Sequence, residues 1–102
     1  METFLRDIRL YVSRDGKVPF VQWLDSLKDR KARAKIRVRL DRVRFGNLGD
    51  HRALGHGLWE LRVDYGPGYR VYFGQVGPTI VVLLGGGVKA RQDRDIRQAQ
   101  AH

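Results

Sequence analysis

The chain has 102 residues, 42% of them hydrophobic, and a formal net charge of +9, with a pI near 10.7. That size suits one domain with a modest core, and the excess of Lys and Arg favours a polyanionic partner such as nucleic acid. The absence of cysteine excludes disulfides and thiolate chemistry. The longest apolar run, Ile80 to Leu84, is too short to span a membrane, and the acidic start at Met1 to Asp7 is no secretory signal, so a single cytoplasmic domain is expected.

Residues Leu5 to Ser13 alternate, with Ile8, Leu10 and Val12 on one side and Arg9 and Tyr11 on the other. This predicts a first strand, stopped by Asp15-Gly16. Pro19 suits the first turn of a helix, and Phe20, Trp23, Leu24 and Leu27 give it one apolar stripe. Asp29 is placed to cap a second helix, whose buried face would be Ala32, Ile36, Leu40 and Val43 and whose stop would be Gly46. From Lys28 to Arg44 there are nine basic and two acidic residues. A helix that is merely solvated mixes signs to gain i,i+4 pairs. This one, with Arg30, Arg33, Arg37 and Arg44 among its cations, reads as a phosphate-gripping surface.

Gly46 to Asp50 reads as a loop, and His51 to Gly57, which includes Arg52, as a mobile lead into three strand-like runs. These are Leu58 to Tyr65, Tyr69 to Gln75 and Thr79 to Leu84, separated by Gly-Pro breakers as in an antiparallel meander. With Gly66-Pro67-Gly68 as the first loop, Tyr65 opposes Tyr69, Val63 opposes Val71 and Leu61 opposes Phe73. The other, wet face then carries Arg62 opposite Tyr72 and Asp64 opposite Arg70. The third run is apolar on both faces, as a central strand would be, and Gly85-Gly86-Gly87 reads as its sharp exit. A last helix is expected from about Arg91, with Ile96 and Ala99 as a thin apolar stripe.

Rival chemistries find little support. The triple glycine lacks the spacing of a dinucleotide or P-loop motif. His51, His56 and His102 have no cysteine or clustered carboxylates to complete a metal site, so no metal or other cofactor is expected. Ser13 and Ser26 have no glycine elbow. Arg62, Arg70, Tyr72 and Lys89 are left as an anion-handling group. The bland reading of the two arginines is salt bridging to Glu60 and Asp64.

The runs Gly46-Asn-Leu-Gly-Asp50, Glu60-Leu-Arg62, Tyr65-Gly-Pro-Gly-Tyr-Arg-Val-Tyr72 and Leu84-Gly-Gly86 with Lys89, and then Gln92 with Asp95-Ile96, resemble the addiction-module killer proteins. These are HigB-like toxins of the RelE/ParE superfamily. Trp23 to Leu27 with Asp29-Arg30 fits the same pattern, so nearly the whole chain is covered. The resemblance implies an α+β fold: an antiparallel sheet of about four strands, two N-terminal helices on one face and a short C-terminal helix. It implies a ribosome-dependent mRNA endonuclease held inactive by a helix-turn-helix antitoxin, with which it would form a hetero-oligomer. Arg70 matches the arginine of the Gly-Tyr-Arg strand, and Lys89 the basic position after the last strand. Arg62, Arg70, Lys89 and Tyr72 would be catalytic. Arg30, Arg33, Arg37, Arg44, Arg52, Tyr65 and Gln92 would contact RNA. The chain departs from the pattern in having no tyrosine or histidine after Lys89 until His102, which leaves the general acid and base unassigned. Two alternatives stay open: a ParE-like inhibitor of DNA gyrase, and a non-catalytic basic nucleic-acid-binding module.

Overall fold

The computed structural model describes residues 5–89 together with residue 96 and residues 99–101. In chain order the elements are β1 (Asp7–Leu10), α1 (Pro19–Ser26), α2 (Arg30–Arg44), β2 (His51–Gly55), β3 (Leu58–Val63), β4 (Tyr69–Val76) and β5 (Ile80–Val88). They form one five-stranded sheet in the order β1-β5-β4-β3-β2. Both helices pack their apolar stripes on the same sheet face, where Phe20, Leu24, Ala32, Ile36 and Val43 meet Leu61, Val63, Val71, Phe73, Val81 and Leu83.

Local chemistry sets the helix ends. Pro19 occupies the first turn of α1. The Asp29 carboxylate accepts hydrogen bonds from the amides of Lys31 at 2.9 Å and Ala32 at 3.2 Å, satisfying two orphan donors of α2. At the other end Gly46, at φ 92°, donates to the Val43 carbonyl and Asn47 to that of Arg42. This is the paired closure that a left-handed residue after a helix permits.

The architecture is α+β, but the sheet is not the expected four-stranded antiparallel one. It has five strands and is mixed, because β1 runs parallel to β5, pairing Asp7 with Ile80 through Leu10 with Leu83. The free edge of β5 exposes carbonyls that β1 satisfies: Asp7 donates to Thr79 at 2.7 Å and Tyr11 to Leu83 at 3.0 Å. The additional strand is β2. His51 to Gly55 is no mobile lead but pairs antiparallel with β3, closed by a turn in which His56 (φ 55°) and Gly57 (φ 77°) both have positive φ. Such a turn matches the right-handed twist of its flanking strands.

The β3–β4 register is also corrected. Arg62 opposes Arg70 and Glu60 opposes Tyr72, two positions from the expected pairing. Asp64 and Tyr65 leave the strand and join Gly66 to Gly68 in the turn, where Gly68 donates to the Tyr65 carbonyl at 3.0 Å. A two-residue slip preserves side-chain parity, so each residue keeps its face. Nor do the three glycines end β5. Gly85, Gly86 and Gly87 pair with Tyr72, Val71 and Arg70. A Cβ on Gly86 would lie 2.2–2.4 Å from the Trp23 ring; glycine lets α1 seat its indole on the sheet. The expected helix from about Arg91 falls largely outside the described residues, as does Gln92, although Ile96 and Ala99 are helical.

Candidate functional site

The second sheet face carries the chemistry. Alternation along β3 puts Leu58, Glu60 and Arg62 there; along β4 it puts Arg70 and Tyr72 there. This face is wet only in part. Leu58, Tyr72 and Ala99 form a small buried cluster with Leu54, Leu84 and Ile96 against it. Beside that cluster the Glu60 side chain is fully buried and is surrounded by guanidinium groups. Arg52 Nε lies 3.1 Å and Arg62 Nε 3.5 Å from its Oε1, and Arg70 Nε lies 4.0 Å from its Oε2. A buried charge is tolerated when it is paired in this way. The salt-bridge reading of the arginines therefore holds for Glu60.

Arg70 is itself only 6% exposed. Its Nη1 donates to the Tyr69 carbonyl at 3.0 Å. Its Nε has no hydrogen-bond acceptor among the described residues, so its attraction to Glu60 is electrostatic rather than hydrogen-bonded. Arg62 and Arg52 are more open, with side chains 36% and 51% exposed. Both can present guanidinium edges to solvent while Glu60 holds their inner sides.

Where β3 and β4 meet the end of β5, a cleft of about 310 Å³ is lined by Arg62, Arg70 and Lys89, with Asp50, Asp64 and the Gly66-Pro67-Gly68 turn. Lys89 arrives because its amide donates to the Gly68 carbonyl at 3.0 Å, extending the β4–β5 pairing by one step. A Cβ on Gly68 would lie 3.5 Å from Lys89 Cβ and 3.7 Å from Arg70 Nη1. The small turn residue thus leaves the two cationic side chains as neighbours. Three of the four residues expected to be catalytic share this cleft. The fourth, Tyr72, is 1% exposed in the Leu58–Ala99 cluster and does not line the cleft among the described residues.

The expected RNA-contacting residues are dispersed. Arg30, Arg37 and Arg44 are exposed on α2, over the opposite sheet face. Arg33 Nη1 donates to the Leu27 carbonyl and ties the α1–α2 joint. Arg52 belongs to the Glu60 cluster. Tyr65 turns toward α2, with Lys35 Nζ 5.1 Å from its ring centre. Partial burial, with Asp29 beside it, raises the pKa of its hydroxyl.

Other residues complete the site. Asp50 and Asp64 bring carboxylates to the cleft. Arg39 braces it: Nη1 donates to the Arg62 carbonyl, and Nη2 to those of Leu48 at 2.9 Å and Asp50 at 3.2 Å. Gly49 admits this clip, since a Cβ there would stand 2.8 Å from Arg39 Nη2. Burial lowers the pKa of Arg39, with Asp50 opposing and Arg42 adding to the shift. One arginine among the nine basic residues from Lys28 to Arg44 gives no sequence signal of such a role. Among the described residues no group of histidine, aspartate and glutamate is placed to hold a metal ion, and no helix is long and apolar enough to cross a membrane.

No family model matches the chain. An uncharacterized protein of Haemophilus influenzae (strain ATCC 51907 / DSM 11121 / KW20 / Rd) is 48% identical over 81 residues, covering 79% of this chain and 82% of that protein. The chain belongs to the family of that protein. The similarity spans most of both chains.

Proposed function

We propose that the protein is an endoribonuclease that cuts messenger RNA on the ribosome, the toxin of a toxin–antitoxin pair of the addiction-module killer type. The observation that carries this reading is the convergence of Arg62, Arg70 and Lys89 on one cleft beside a buried carboxylate that restrains the two arginines. Guanidinium groups suit a phosphodiester because their planar fork matches two phosphate oxygens. The overall charge of +9 favours approach to RNA, and the exposed basic face of α2 is suited to ribosomal RNA.

In this mechanism the ribose 2′-oxygen attacks the adjacent phosphorus. The O2′–P bond forms, the P–O5′ bond breaks, and the products are a 2′,3′-cyclic phosphate and a 5′-hydroxyl. Negative charge on the phosphoryl oxygens grows toward the transition state. Arg62 and Arg70, already oriented by Glu60, stabilise that charge without reorganising. Lys89 neutralises the phosphate or gives a proton to the departing O5′. Asp50 and Asp64 lie within the same cleft, so a carboxylate is at hand to take the 2′-hydroxyl proton. The ribosome contributes geometry by holding the RNA in line. The protein acts in the cytoplasm and is silenced by a helix-turn-helix partner.

Lys89→Ala is the cleanest test, because Lys89 is exposed and its loss changes stability by no more than about 0.5 kcal/mol. In cell-free translation with purified protein, the variant is expected to need roughly 100-fold more protein, or time, for equal arrest. Undiminished arrest by a folded Lys89→Ala protein would remove the lysine from the reaction. Intact messenger RNA with stalled gyrase would instead select the gyrase-inhibitor reading.

A further inference from the structure

We infer that the depression between α2 and the end of β3 is a second nucleic-acid subsite, continuous with the cleft, which takes the nucleotide next to the scissile phosphate. This rests on the cleft holding a phosphodiester, as proposed above. The depression has a volume of about 330 Å³ and a mixed lining: the cations Lys35, Arg39 and Arg42 surround the apolar Val38 and Val63. Apolar floor and cationic rim are the two surfaces that a nucleotide in a single strand needs, one for the base and one for the phosphate.

Continuity comes from Asp64, which lines both the depression and the cleft. The two meet at Asp64 beside the β3–β4 turn, with cations on either side and Asp50 as a second carboxylate within the cleft. A uniform anion would be repelled at the middle. A nucleic-acid strand alternates phosphate with sugar and base, so a base amino group can meet the carboxylate while phosphates meet the cations. Both Nη atoms of Arg39 are engaged with backbone carbonyls, which makes it a fixed wall. Lys35 and Arg42 are exposed and can reach a phosphate, Lys35 from its place beside the Tyr65 ring. Val38, on the outer part of a strongly basic helix, is 47% exposed, an apolar surface that a stacked base would cover.

The test compares two probes by fluorescence competition: a 2′-O-methyl oligoribonucleotide of about six nucleotides, which resists cleavage, and a nucleoside monophosphate. The double variant Lys35→Ala, Arg42→Ala is expected to weaken the oligonucleotide about tenfold and to reduce its log–log salt slope by about one. The Kd for the monophosphate, read at the cleft, is expected to stay unchanged. Arg14→Ala with Lys17→Ala removes the same charge from the distant, exposed β1–α1 loop and calibrates the general electrostatic effect. An oligonucleotide loss no larger than in that control overturns the second subsite, as does equal weakening of both probes by the α2 variant. Lys89→Ala separates the cleft from the subsite. If it weakens both probes while the α2 variant matches the control, the cleft stands and only the subsite fails. If it weakens neither, the cleft assignment fails and the subsite with it.

Discussion

Glu60→Ala is expected to destabilise the protein by about 3–5 kcal/mol, the range for removing one partner of a buried ion pair. Thermal unfolding should move down by more than about 10 °C, given roughly 4–8 °C per kcal/mol in a domain near this size. The carboxylate has no solvent exposure and lies within 3.1–4.0 Å of three guanidinium groups. Arg52 and Arg62 can relax toward water after its loss. Arg70, with a side chain 7% exposed, cannot, and would stay charged in a poorly solvated site. This separates charge from shape. Glu60→Gln preserves volume but should still lose much of the stability, whereas adding Arg70→Met to Glu60→Leu should recover a large part by removing both charges. A coupling above about 1 kcal/mol in that cycle is expected for groups in one network. A melting point within a few degrees of wild type for Glu60→Ala would show that the arginines do not depend on it. Arg70→Ala is for the same reason a poor probe of chemistry alone, since it also strips a buried carboxylate of a partner.

Gly86→Ala should be nearly as damaging, and for a steric cause. The added methyl would stand 2.2 Å from Trp23 Cε3 and 2.4 Å from two further ring atoms. The indole is not free to retreat. It packs against Phe20 at a ring separation of 6.0 Å and Tyr69 at 6.3 Å, within the cluster that joins α1 to the sheet. Overpacking of this kind costs about 1–3 kcal/mol or more, with loss of Trp23 fluorescence and α1 protection before global unfolding. Its neighbour supplies the control. A Cβ on Gly85 meets nothing within 4 Å, so Gly85→Ala should be neutral or stabilising by up to about 1 kcal/mol through the unfolded chain. Equal effects at the two positions would contradict the assigned faces of β5.

What could be read in the sequence was local. Pro19, Asp29 and Gly46 act on amides within a few residues of themselves, so the helix limits followed from their positions. Alternation in β3 and β4 survives a two-residue slip, which is why Arg62 and Arg70 were placed on one face although their partners were not. The slip arose because Asp64 and Tyr65 continue the alternation yet belong to the turn, where Tyr65 lies beside Lys35 of α2. The parallel β1–β5 pair depends on which edge is free after the meander forms, and nothing within Asp7–Leu10 encodes that. The triple glycine was misread because its cause, Trp23, lies some 60 residues earlier. At the site, Glu60 looked like an exposed salt-bridge partner because the residues that cover this face, Ala99 and Ile96, are distant in sequence.

Whether the cleft of Arg62, Arg70 and Lys89 acts on RNA phosphodiesters is decided by mapping transcript 5′ ends in cells after induction of wild-type protein and of Lys89→Ala. Discrete new 5′-hydroxyl ends within coding regions are expected for the wild type, with near absence for the variant at equal protein levels. The same ends at the same abundance in both, or intact transcripts with the wild type, would contradict the nuclease proposal.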